Sequence, residues 1–144
     1  MSRTWPVSVK GVVLDPRERV LLLRNERDEW ELPGGRLEEA DASPEAAVER
    51  EIHEETGWQV AVGPLLDTWI YQPFPRTRPG SRVLIVTYGC ALLTPGAEPV
   101  LSHEHAALGL FTAAEVEGLR MPDGYKRSVR AWRPRPRRGR RRRA

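Results

Sequence analysis

The chain has 144 residues, of which 40% are hydrophobic and 12 are glycine, the balance of a folded globular domain and not that of a wholly disordered one. A single cysteine, Cys90, excludes an intrachain disulfide and a four-cysteine zinc site, and the longest aliphatic runs (20–23 and 83–86) fall far below the ~18 residues of a membrane span. The net charge of +3 is uneven: eight of the 23 basic residues are arginines in the last twelve positions, so residues 1–132 carry 15 basic against 20 acidic side chains, a net of −5.

These features set the expectation of one domain over 1–132 followed by an Arg/Pro-rich disordered tail over 133–144. With no apolar leader in the first ten residues, the expected compartment is the cytoplasm and no membrane contact is expected. In chain order, the alternation of Val7, Val9 and Val13 predicts a strand, Asp15-Pro16-Arg17-Glu18 a turn, and Val20–Leu23 a hairpin partner covered on both faces. A polar loop over 24–29 leads to a short extended stretch at Trp30-Glu31-Leu32, which Pro33-Gly34-Gly35 should end.

Ser43-Pro44 is a helix start, because the serine oxygen can accept from an orphan N–H and proline is tolerated at the first helical position. Gly57 supplies the stop, and Val48 and Ile52, four apart, mark the face turned to the core. Two short strands are expected at 60–62 and 65–71, a long one over 82–93, a brief pairing at 98–101, and a last strand over 109–112. Helices at 113–119 and 123–132 should follow. Cys90, inside an apolar strand, reads as a core residue.

The helix brings Glu51, Glu54 and Glu55 to one face at i, i+3 and i+4. Like charges at this spacing each cost a few tenths of a kcal/mol, and two of them sit in the last turn, where the helix dipole disfavours acids. The triad fits a solvated acidic face, the commoner fate of a charge run. It also fits a hard divalent cation such as Mg²⁺ or Mn²⁺, with Gly34 and Gly35 letting backbone approach the metal or a phosphate. Metal-assisted attack of water on a phosphoanhydride is the chemistry of the second arrangement.

The segment GGRLEEADASPEAAVEREIHEETGW resembles the Nudix box, with Arg50, Glu51, Ile52, Glu54, Glu55, Gly57 and Trp58 matching its second half. Gly35 and Arg50 are 15 positions apart where the pattern has 14, so the loop is one residue longer and Asp41 takes the place of the expected glutamate. The resemblance implies an α+β Nudix fold, an α/β/α sandwich with a mixed sheet. It also implies that Glu51, Glu54 and Glu55 hold divalent metal with the Gly34 carbonyl, while Arg50 orients a box glutamate by charge-assisted hydrogen bonds. A further acid from a downstream loop often joins such a site, and Glu104 is the match here, although it reads equally as a solvated loop residue; His103 and His105 read as loop residues rather than ligands.

The implied substrate is a nucleoside diphosphate linked to another moiety. Trp69, Tyr71 and Phe74 offer faces for stacking, Arg76 and Arg78 offer charge for phosphate, and Gly35 permits close approach of the backbone. Pro73 lies 15 residues beyond Trp58, which resembles the ADP-ribose pyrophosphatases of the family and favours ADP-ribose or a nucleotide sugar. The prolines could instead simply stiffen an exposed loop. The alternatives are a housecleaning hydrolase of modified nucleoside triphosphates and, third, an RNA 5′-end hydrolase or RNA-associated protein. In that last case the arginine tail would supply nonspecific nucleic-acid contact. Either a monomer or a homodimer is compatible with the sequence.

Overall fold

The computed structural model describes residues 4–73 and 82–132. The elements are β1 (Val7–Val13), β2 (Val20–Arg24), β3 (Trp30–Glu31), β4 (Gly34–Arg36), α1 (Pro44–Thr56), β5 (Val60–Tyr71), β6 (Val83–Leu92), β7 (Ala107–Phe111), α2 (Ala113–Glu117) and α3 (Asp123–Ala131). One sheet has the order β4-β1-β6-β5, with β1 and β6 parallel and its other pairings antiparallel. The other has the order β3-β2-β7. The expected mixed sheet and α+β arrangement are present.

Adjacent strand residues point to opposite faces, so Val12 and Val13 enter different cores. Val13 joins Val9, Leu21, Tyr88 and Cys90 under Ala47, Val48 and Ile52 of α1. Val12 joins Val20, Leu22, Val83 and Ile85 under Val116 of α2 and Tyr125 and Val129 of α3. Helices therefore cover both sides of the sheet. Burying each of these large aliphatic side chains contributes roughly 1.5–3 kcal/mol, which is why β2 is apolar on both faces. Among the described residues no helix is long and apolar enough to cross a membrane.

Four expectations need correction. β1 and β2 do not form a hairpin ladder: the pairing between them is one isolated bridge, Leu14 to Val20, just past the end of β1, and they belong to different sheets. The Asp15 carboxylate accepts from the backbone N–H of Arg17 and Arg19 at 3.0 and 2.8 Å and redirects the chain from one sheet to the other. Gly34 and Gly35 do not end the extended stretch but form β4, which pairs with β1 in the register Lys10 to Gly34 and Ser8 to Arg36. The two strands expected at 60–62 and 65–71 are one strand, kinked by irregularities between Val62 and Asp67. Residues 98–101 form no strand. That segment is tied down instead by Val100 N–H to the Thr56 carbonyl at 2.9 Å and by the Trp58 indole N–H to the Ala97 carbonyl at 2.9 Å.

Helix α1 begins and ends as the sequence indicates. Ser43 Oγ accepts from Ala46 N–H at 3.0 Å, and Gly57, at φ 76°, closes onto the His53 carbonyl at 2.9 Å. The last strand starts two residues earlier than expected, at Ala107. The tail over 133–144 lies outside the described residues.

Candidate active site

β4 lies against the acidic face of α1 because two successive glycines let it. Gly34 has φ 142°, and a side chain there would collide with the Val9 carbonyl oxygen on β1. Its N–H points to α1 and donates to Glu55 Oε1 at 2.9 Å. At Gly35 a Cβ would stand 2.6 Å from Cδ and Oε2 of Glu51, so that carboxylate occupies the space a side chain would take.

The three glutamates have different surroundings. Glu55 is buried, and desolvation pushes its pKa up to about 7 against the opposing field of Lys10 and the Gly34 N–H. Glu51 is also raised, chiefly by desolvation, with the Arg50 charge working in the other direction. Glu54 is exposed. Arg50 links the group: its Nη1 lies 3.3 Å from Glu51 Oε2 and 3.2 Å from Glu54 Oε1. The other side of its guanidinium forms a two-pronged pair with Asp41, Nε to Oδ1 at 2.9 Å and Nη2 to Oδ2 at 3.0 Å. Asp41 also accepts from Glu38 N–H at 2.8 Å, so the longer loop is closed by the residue that departs from the box pattern.

Glu104 lies in the turn before β7, exposed, with its backbone N–H donating to Ser102 Oγ at 3.3 Å. Among the described residues, no three His, Cys, Asp or Glu side chains converge into a ready-made metal cage. The donor set nevertheless fits a hard divalent cation: it is all oxygen, two of its carboxylates are raised by desolvation, and Gly35 leaves one of them open along the backbone.

Beside this face lies a cleft of about 210 Å³, with Lys10, Glu31, Arg36, Tyr71 and Tyr125 among its lining residues. Tyr71 lines it as expected and donates to Glu29 Oε1 at 2.6 Å. Trp69 is not in its lining: it packs edge-on to Tyr125, with ring centroids 4.9 Å apart, and over Gly124 of α3. Trp69 and Tyr71, two apart in β5, share the strand face turned to α3, where the indole packs against both tyrosines and supports them. Phe74, Arg76 and Arg78 lie outside the described residues.

The sequence reading missed Lys10 and Glu31. Lys10 is buried in β1 on the same face as Val12; a lone charge in a valine-rich strand was the available signal. Glu31 accepts from Asn25 Nδ2 at 3.0 Å and lies 3.0 Å from His105 Nε2, which places His105 in its loop but with a nearly covered ring. Burial alone would raise the Glu31 pKa, but Lys10, His105 and Asn25 outweigh it and hold the group at about 2, below its ordinary 4.5. Its contribution to stability is therefore present above pH 4.5 and is lost as the pH falls through about 2. Glu31→Gln is expected to destabilise the protein by on the order of 2 kcal/mol at pH 7, with the gap more than halved at pH 3. Urea unfolding at the two pH values checks this, and an equal gap at both would contradict it.

Residues 4–132 match the family described as the NUDIX domain. A "MutT-like protein" of Streptomyces ambofaciens is 37% identical over 120 residues, which is 83% of this chain and 71% of that protein. Among solved structures, the MutT protein of Methanosarcina mazei Go1 superposes with a TM-score of 0.71 at 22% identity, covering 90% of this chain and 94% of that one. An ADP-ribose pyrophosphatase of Streptococcus suis 89-1591 gives 0.62 at 22% identity, covering 89% and 92%. At these identities the two structures establish a shared fold.

Proposed function

Because this chain belongs to the Nudix family and so is a hydrolase of that family, we propose that it cuts the phosphoanhydride of a nucleoside diphosphate linked to another moiety, with ADP-ribose or a nucleotide sugar leading. The observation that carries this reading is the meeting of the α1 glutamates with the Gly34-Gly35 strand at the edge of a cleft lined by cations and tyrosines.

Glu51, Glu54 and Glu55, with the Gly34 carbonyl and Glu104, would hold Mg²⁺ or Mn²⁺. When bound, such an ion lowers the pKa of water and offsets the charge of the anhydride. The protein's own residues do the positioning. The Gly34 N–H fixes one oxygen of Glu55, leaving the other free to bind. Arg50, braced by Asp41, restrains Glu51 and Glu54, which lowers the cost of holding three like charges together. Gly35 leaves room for the Glu51 carboxylate against β4.

Product analysis tests the assignment. AMP plus a sugar phosphate from ADP-ribose supports it, whereas nucleoside monophosphate plus pyrophosphate from a triphosphate would assign the chain to nucleoside triphosphate hydrolysis. For the loop acid, Glu104→Gln is expected to give a clear loss of kcat, smaller than that for the α1 glutamates. Activity within twofold of wild type would return Glu104 to the loop surface.

A further inference from the structure

The cleft gathers three cationic side chains, and the most deeply buried of them has no hydrogen-bonded acceptor among the described residues. Lys10, 6% exposed, reaches its floor with Nζ 5.8 Å from the Tyr125 ring centroid, and among the described residues its ammonium donates no side-chain hydrogen bond. Arg27 forms part of the wall, its guanidinium 5.7 Å from the Tyr71 ring centroid, and its Nε is covered without a hydrogen-bond partner among the described residues. Arg36, exposed at the end of β4, contributes to the lining beside Ser8.

The neighbouring acids are already engaged. Both oxygens of Glu31 are taken, one by Asn25 and the other by His105. Glu29 Oε1 accepts from the Tyr71 hydroxyl at 2.6 Å and lies 3.6 Å from Arg27 Nε. What remains is the Lys10 ammonium and the Arg36 guanidinium, which can only donate, with Arg27 shared between Glu29 and Tyr71 and the hydroxyls of Ser8 and Tyr125 beside them. A buried ammonium without an acceptor is costly, so an occupant that is rich in acceptor oxygens and negatively charged is favoured here.

A phosphate monoester has both properties, with a charge of about −1.5 to −2 at neutral pH and three acceptor oxygens suited to arginine's planar fork. The cleft and the glutamate site share strands β1 and β4, since Lys10 pairs with Gly34 and Arg36 follows Gly35 along β4. At about 210 Å³ it lies below the roughly 300 Å³ at which pockets for whole drug-sized ligands begin, so it takes one end of a substrate.

We infer that this cleft binds a phosphate group that the substrate carries outside the anhydride to be cut, with Lys10 holding it at the floor and Arg27 and Arg36 from the sides. This rests on the hydrolase reading for what the rest of the substrate is and narrows it: ADP-ribose and simple nucleotide sugars carry no phosphate outside the anhydride, so the inference selects a nucleoside diphosphate derivative that bears a further phosphate.

The test is titration calorimetry of the full chain without divalent metal, using three matched pairs: NADPH with NADH, coenzyme A with its 3′-dephospho form, and ribose 5-phosphate with ribose. At least one phosphorylated member is expected to bind tenfold or more tightly than its partner. Lys10→Met should abolish that preference, and Arg36→Gln, at an exposed position that leaves the core untouched, should reduce it at least threefold. Equal affinity within every pair overturns the inference, as does absence of binding by every compound or a preference that survives Arg36→Gln. The two readings fail separately. A chain that shows the preference but hydrolyses no anhydride loses only the hydrolase assignment, whereas one that hydrolyses anhydrides without the preference loses only this inference.

Discussion

Glu55→Gln is expected to lower metal-dependent turnover on the order of 100-fold or more, a loss larger than that for removing a residue that only orients a ligand. The reason is that Glu55 is held in place before any metal arrives. The Gly34 N–H donates to its Oε1 at 2.9 Å, and burial has already raised the energy of the charged form, leaving a carboxylate that gains much from a cation. Glutamine keeps an oxygen for Gly34 while removing the desolvated charge, so the metal-free variant should be at least as stable as wild type. Turnover with saturating Mg²⁺ and thermal unfolding without metal check the two halves. Activity within threefold of wild type would remove Glu55 from the site.

Gly34→Ala is expected to destabilise the fold by on the order of 3 kcal/mol or more, with Tm falling by about 10 °C or more. Two effects combine. The backbone at φ 142° is one that side chains rarely adopt, and the new Cβ would run into the Val9 carbonyl, so β4 would have to leave β1. Backbone cannot yield as a side-chain end can. Gly35→Ala makes the contrast: the three atoms nearest its Cβ all belong to the end of the Glu51 side chain rather than to backbone, so stability should change less while turnover falls with the displaced carboxylate. Equal Tm losses for the two variants would contradict this account of how β4 is seated.

What the sequence made legible was local in origin. The helix carrying the glutamates could be read because its cap, its stop and its apolar stripe all lie within fifteen residues, between Ser43 and Gly57. The spacing of Glu51, Glu54 and Glu55 then followed from helical geometry. Long-range pairings were not legible. Two glycines after a proline look like a terminator, and only contact with Val9 and Glu55 turns them into a strand that seats the site. β1 and β2 read as a hairpin because a turn separates them, but the preference of each for other partners could not be seen along the chain.

The same limit explains the cleft. His105 and Glu31 are far apart in sequence and meet through the pairing of β2 with both β3 and β7. Lys10 was visible as a charge in a valine-rich strand, but its burial depends on the placement of Tyr125 from α3. Trp69 misled for a related reason: its aromatic character suggested a ligand face, whereas α3 presents Gly124, and only that missing side chain lets the indole pack there.

The central claim is that the face of α1 and the strand β4 form a metal-dependent anhydride hydrolase. Its most direct test is hydrolysis of ADP-ribose, nucleotide sugars, dinucleoside polyphosphates and nucleoside triphosphates with Mg²⁺ or Mn²⁺, with Glu55→Gln as the blank. The expected result is metal-dependent release of AMP and a sugar phosphate by wild type that is lost with chelator and in the variant. Turnover unaffected by chelator, or equal in wild type and Glu55→Gln, would contradict it.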